Sequence, residues 1–142
     1  MPSAREPAAG QPAESAARQR RILVVDDSSL IREVAVLALS SRSGWEAVTA
    51  SSGEEGLARA LSDRPDAVLL DVVMPGIDGY EVAERLAASP STSAIPVIML
   101  TAADGPGDRE RLRRLAVAGV IPKPFELAQL AGQVAALLGW QS

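Results

Sequence analysis

Residues 22–27 read Ile-Leu-Val-Val-Asp-Asp, and residues 67–71 read Ala-Val-Leu-Leu-Asp. Two further apolar runs follow the same plan: Pro96-Val97-Ile98-Met99-Leu100 ends in Thr101, and Val120-Ile121 leads into Pro122-Lys123-Pro124. The runs are continuous rather than alternating, which suits strands of a parallel sheet buried on both faces. Trp45 to Ala50 adds a weaker strand. The stretches between the strands carry helical spacing. Ser28 to Ser41 places Leu30, Ile31, Val34, Leu37 and Ala38 on one face, and Gly53 to Ser62 has Leu57 and Leu61 four apart. After the Pro75-Gly76 turn, a helix is expected from about Asp78 to Ala88, with Val82 and Leu86 four apart. Asp108 to Ala118 reads as a helix with a charged outer face. Glu126 to Leu138 aligns Leu127, Leu130, Val134, Leu137 and Leu138 before the terminator Gly139. Five strands alternating with five helices predict an α/β fold, a doubly wound five-stranded parallel sheet with helices on both faces. Ligand chemistry in such folds sits at the carboxyl ends of the strands.

Composition bounds that chemistry. The chain has 142 residues, about one domain's worth. Its 14 Lys and Arg against 18 Asp and Glu give 14 − 18 = −4, the wrong sign for a protein that neutralises a phosphate backbone. No direct nucleic-acid partner is therefore expected. There is no Cys and no His, which excludes disulfides, thiolate or imidazole metal sites and Ser-His-Asp hydrolysis. The apolar fraction of 47% supports a real core. Apolar runs such as Ile95 to Leu100 fall far short of the ~20 residues that span a bilayer, so no membrane insertion is expected. The first residues show no apolar signal core, and a cytoplasmic location is expected. Residues 1–20, rich in Ala, Pro, Ser, Gln and Arg, read as a disordered tail. Residues 21–139 form the folded domain and residues 140–142 its C-terminal end.

The strand ends can be read directly. Asp26 and Asp27 follow the first strand, Asp71 the third, Thr101 the fourth and Lys123 the fifth. Taken singly, each has an ordinary explanation. Asp26 or Asp27 could cap the next helix, Asp71 could serve a turn, and Lys123 could be a solvated loop lysine. Taken together, three carboxylates, a hydroxyl and an ammonium converge on one edge of the sheet. Crowded carboxylates need a compensating cation. All-oxygen donors suit a hard ion such as Mg²⁺.

The segments VVDDSSLIR, LLDVVMPGIDGYE, VIMLTA and IPKPF, in that order, resemble the receiver domain of two-component response regulators, and the likeness extends over residues 21 to about 139. The resemblance implies the flavodoxin-like receiver fold. It further implies that Asp71 is the phosphoacceptor, a carboxylate nucleophile forming an aspartyl phosphate. Asp27 and Asp71 would bind Mg²⁺ directly and Asp26 through water, with the backbone carbonyl of Val73 as another ligand. Lys123 would pair with Asp71 at rest and later contact a phosphoryl oxygen, and Thr101 would donate a hydrogen bond to that group. The bond from Lys123 to Pro124 would be cis. Beside a divalent cation and an ammonium, the charged form of Asp71 would be favoured. The donor would be a sensor histidine kinase or a histidine phosphotransfer protein, since this chain has no His. Such a protein is a phosphoacceptor rather than an enzyme in the usual sense, catalysing only its own phosphorylation and dephosphorylation. With no room for an effector after Gly139, it reads as a stand-alone receiver that signals to a downstream target protein or along a phosphorelay. A homodimer through the fourth-helix, fifth-strand and fifth-helix face is a further possibility in such proteins.

The match departs from the family at Val120, where an aromatic residue commonly sits three places before the motif lysine. Val cannot make the inward swing of that ring, so the readout is altered. An alternative is a phosphorylation-independent adaptor on the same fold with an uncoupled switch. A flavin-binding or phosphatase reading is weaker. The first strand–helix turn reads Asp-Asp-Ser-Ser instead of a glycine cradle, and Val73 stands where aspartate-nucleophile phosphatases carry a second Asp. Residues 103–107 (Ala-Asp-Gly-Pro-Gly) read as a loop with hinge character. Arg109, Arg111, Arg113 and Arg114 read as a solvated helix face or a docking surface, and Trp140 as a cap on the sheet edge.

Overall fold

The computed structural model describes residues 19–102 and 106–140. Five strands, β1 (Arg20–Val25), β2 (Trp45–Ala50), β3 (Ala67–Asp71), β4 (Val97–Thr101) and β5 (Gly119–Pro122), alternate with five helices. These are α1 (Ser29–Ser40), α2 (Gly53–Asp63), α3 (Gly79–Ala88), α4 (Pro106–Arg114) and α5 (Leu127–Leu138). Every strand pair is parallel, in the order β2-β1-β3-β4-β5. The chain is thus a doubly wound α/β sandwich. It winds outward from β1 to β2, then returns across β1 to β3, so the switch point lies between β1 and β3. A crevice opens at the carboxyl ends of such neighbours, and here Asp26, Asp27 and Asp71 leave the sheet.

The pleat divides each apolar run between two cores. Leu23, Val25, Val68, Leu70, Val97 and Met99 meet α2, α3 and α4 through Ala60, Tyr80, Val82, Leu86 and Leu112. Ile22, Val24, Leu69, Ile98, Leu100 and Ile121 meet α1 and α5 through Ala35, Ala38, Leu39, Leu130 and Val134. Burial on both faces is what continuous apolar strands require.

Several details differ from the sequence reading. In α1, Leu30 and Leu37 are 67% and 64% exposed, and the buried face is Ala35, Ala38 and Leu39. Leu61 of α2 and Leu127 and Leu137 of α5 also face outward, while Leu130, Ala131, Val134 and Ala135 of α5 are buried. Alanines let these helices approach the sheet closely, so the large side chains do not mark the buried stripe. Helix α4 begins at Pro106, earlier than Asp108, because proline is well tolerated in a first turn that needs no amide donor. It ends at Arg114 rather than running to Ala118, since Ala116 adopts a left-handed φ of 54° and turns the chain into β5. The hinge expected over 103–107 therefore loses Pro106 and Gly107 to α4, and residues 103–105 lie outside the described residues. Strand β1 takes in Arg20; residues 1–18 of the expected tail, and 141–142, also lie outside them. Trp140 stands edge-on to Trp45 of the edge strand β2, ring centroids 5.4 Å apart, with the Arg20 guanidinium 4.4 Å from its own ring centroid. No helix among the described residues is long and apolar enough to cross a membrane.

Candidate functional site

Asp26 is the residue after β1, and its amide continues the sheet by donating to Ala50 O at 3.1 Å. Asp71 closes β3 and lies in register with Leu100 of β4; Thr101 follows, and is paired in turn with Pro122 of β5. The Lys123 amide donates to Thr101 O at 3.0 Å, and the Lys123–Pro124 peptide is cis. Sheet register thus delivers the five strand-end residues to one rim.

Carboxylate oxygens of Asp26, Asp27 and Asp71 all lie within 4.8 Å of one another. Asp26 is fully buried, Asp71 and Thr101 are nearly so, and Asp27 is exposed. Lys123 Nζ sits 2.8 Å from Asp26 Oδ2 and 3.2 Å from Asp71 Oδ1. The ammonium therefore bridges both acids, with its shorter contact to Asp26, whereas the resemblance implied a pairing with Asp71. The reason is burial: the Asp26 charge has no water to screen it and calls for the closest counter-charge. Ser28 N–H donates to Asp26 Oδ1 at 2.9 Å, and the Arg32 guanidinium holds Asp26 O at 2.8 Å. Ser28 also caps α1, its hydroxyl accepting from Ile31 N–H. Val73 N–H donates to Asp71 Oδ1 at 3.3 Å.

Burial, and next the neighbouring Asp26 charge, push the Asp71 carboxyl above its ordinary value, with Lys123 pulling the other way. The ammonium favours the charged form of Asp71 but is outweighed by burial and the Asp26 charge; the sequence reading counted on a divalent cation beside it. Burial works against the charge of Lys123, but the hydrogen bond and charge of Asp26, then those of Asp71, outweigh it and raise the ammonium above its usual range. Two buried acids sharing one ammonium leave unbalanced negative charge, and Asp27 adds to it. A hard divalent cation fits this all-oxygen donor set. Both oxygens of Asp26 already accept bonds from the protein, whereas Asp71 concentrates its bonds on Oδ1.

Sequence reasoning did not assign a role to Gly79. Its amide donates to Val72 O at 2.8 Å, and a Cβ there would collide with Asp71 O and lie 2.8 Å from Val72 Cα. The start of α3 therefore rests on the backbone of the acidic residue, and only glycine permits that approach. Tyr80, the next residue, reaches from α3 to α4. Val120 lies on β5 with 39% of its surface exposed.

Comparison with known proteins gives a consistent pattern. Residues 22–135 match the response regulator receiver domain family. The chain is 39% identical over 117 residues to the response regulator PleD of Caulobacter vibrioides, covering 82% of this chain and 26% of that protein. It is 41% identical over 118 residues to the response regulator MprA of Mycolicibacterium vanbaalenii, covering 83% of this chain and 50% of that one. The chain thus spans between a quarter and a half of these curated relatives. Among solved structures, the chemotaxis protein CheY4 of Vibrio cholerae superposes with a TM-score of 0.78 at 29% identity, covering 84% of this chain and 98% of that one. The N-terminal domain of a response regulator receiver protein from Methanoculleus marisnigri gives 0.67 at 38% identity, covering 85% and 98%.

Proposed function

Because the chain belongs to the receiver-domain family of two-component response regulators, we propose that it accepts a phosphoryl group on Asp71 from a histidine kinase or a histidine phosphotransfer protein. The observation that carries this reading is the meeting of Asp26, Asp27 and Asp71 with Lys123 at the switch point of the sheet. In the reaction, a carboxylate oxygen of Asp71 attacks phosphorus on the donor's phosphohistidine. The P–O bond forms as the P–N bond breaks, and the imidazole departs and takes up a proton. Asp71 Oδ2 is the oxygen best disposed to attack, since Oδ1 is engaged by Lys123 and Val73 N–H. Lys123 then transfers its ammonium contact from the carboxylate to a phosphoryl oxygen, and Thr101 donates its hydroxyl to another. Asp27 and Asp71 would hold Mg²⁺ directly, Asp26 through water, with the Val73 carbonyl completing the protein ligands. Bound there, the ion supplies charge neutralisation for the loose transition state of phosphoryl transfer. The protein is on this reading a signalling phosphoacceptor that acts on itself, working in the cytoplasm through a downstream protein or a relay.

Titration with Mg²⁺ and then beryllofluoride, an acyl-phosphate mimic, followed by amide NMR, tests the proposal. Mg²⁺ is expected to shift the amides around Asp27 and Asp71, and beryllofluoride those of Thr101 and Lys123, in wild type but not in Asp71→Asn. Failure of both to bind overturns the reading. Binding confined to the acidic site favours the uncoupled adaptor, the alternative motivated by Val120 on β5.

A further inference from the structure

We infer that Tyr80 is a positioning residue that couples the Asp71 site to α4, holding α4 in the arrangement that goes with a free Asp71 carboxylate; this rests on the phosphoacceptor reading above. Helix α4 buries little of its described surface. Among its described side chains Leu112 alone is buried, and the rest of its surface is largely charged. A cavity of about 200 Å³ opens between the C-terminal half of α3 and the segment behind α4, lined by residues including Leu86, Ile95, Leu115 and Val117.

Tyr80 grips α4 from α3. Its ring is buried, its hydroxyl donates to Asp108 Oδ1 at 3.0 Å, and the Arg111 guanidinium stacks 3.9 Å from its centroid. Asp108 and Arg111 lie three apart on α4, so one side chain of α3 engages a full turn of its neighbour. A hydrogen bond to a carboxylate and a cation over an aromatic face both gain strength out of water. The other end of this connection is the backbone contact of Gly79 with Asp71 and Val72. Tyr80 is thus one residue from the backbone of the acceptor and reaches directly onto α4. Any adjustment of the β3–α3 segment that admits a phosphoryl group is passed to α4 through it. On β5, Val120 offers no ring to carry the same message.

An interaction present only in the unphosphorylated arrangement opposes the phosphorylated one, so removing it tightens binding of the phosphoryl mimic. Tyr80→Phe keeps the ring and its volume and deletes the bond to Asp108. In the full chain with Mg²⁺, beryllofluoride is expected to bind Tyr80→Phe about five- to tenfold more tightly than wild type, the worth of one such bond. The α4 amides of unliganded Tyr80→Phe are expected to lie part of the way towards their wild-type, beryllofluoride-bound positions. Asp108→Ala, which leaves the core side chains intact, is expected to shift both readouts in the same direction. A variant that melts earlier while binding the mimic with unchanged or weaker affinity makes Tyr80 merely structural and overturns the inference. Wild-type shifts around Asp71 without any in α4 overturn it too, while leaving the phosphoacceptor reading standing. No shift at Asp71 in wild type defeats that reading, and this inference with it.

Discussion

Lys123 contacts two buried acids at once, and the stability of the site turns on it. Removing one member of a buried ionic cluster leaves the others uncompensated, a cost of about 3–5 kcal/mol. Lys123→Met is therefore expected to lower unfolding free energy by about that amount in urea melts without added metal. Asp71→Asn has the opposite sign, and its effect depends on pH. The carboxyl of Asp71 is raised in the folded chain, so its contribution to stability is fully present below the ordinary carboxylate value of 3.8 and is lost as pH rises through the raised value. The melting temperature of Asp71→Asn minus that of wild type, measured without divalent cations, is expected to grow from about pH 4 towards neutrality. A difference that shrinks with pH would contradict the burial argument. Asp26, Asp27, Asp71, Thr101 and Lys123 were all legible as candidates, because each follows an apolar run and the carboxyl end of a parallel strand is a defined place. Ser28, Gly79 and Tyr80 were not, since their roles rest on distances across the fold: an amide to a buried carboxylate, a missing Cβ against a backbone, a hydroxyl onto another helix.

At the level of elements, the helices were legible in number and approximate place, but their buried faces were not. Leucines and valines dominate any count of apolar spacing, yet α1 turns Leu30 and Leu37 outward and packs on alanines. Leu37→Ala is accordingly expected to change stability by less than about 0.5 kcal/mol. Leu39→Ala, on the same helix but buried, is expected to cost about 2–5 kcal/mol. Chemical denaturation of the two variants side by side checks the assignment, and equal losses would refute it. The limits of α4 were misjudged for two local reasons. Pro106 and Gly107 look like loop residues but enter the helix, and Ala116 takes a left-handed conformation that no residue type announces. Gly79 decides where α3 starts: Gly79→Ala forces a Cβ into the Asp71–Val72 backbone, which no side-chain adjustment can relieve.

Across the whole molecule, the rhythm of apolar runs and amphipathic stretches pointed to a doubly wound sheet, since only burial on both faces explains runs such as Ile22–Val25 and Val97–Leu100. The strand order β2-β1-β3-β4-β5 was not in the pattern itself, because propensity and spacing do not say which strand adjoins which. That order creates the switch point, and the switch point gathers the acids. A cation that binds only the assembled site stabilises the whole fold by mass action, about 2.7 kcal/mol at a hundredfold excess over its dissociation constant. Mg²⁺ is expected to raise the melting temperature of wild type, a chelator to reverse the gain, and Asp27→Ala to lose most of it.

Whether Asp71 takes a phosphoryl group is decided by intact-protein mass spectrometry after incubation with acetyl phosphate and Mg²⁺. One added phosphoryl group is expected on wild type, none in the presence of a chelator and none on Asp71→Asn. An unchanged wild-type mass, or a phosphoryl group retained by Asp71→Asn, would contradict it.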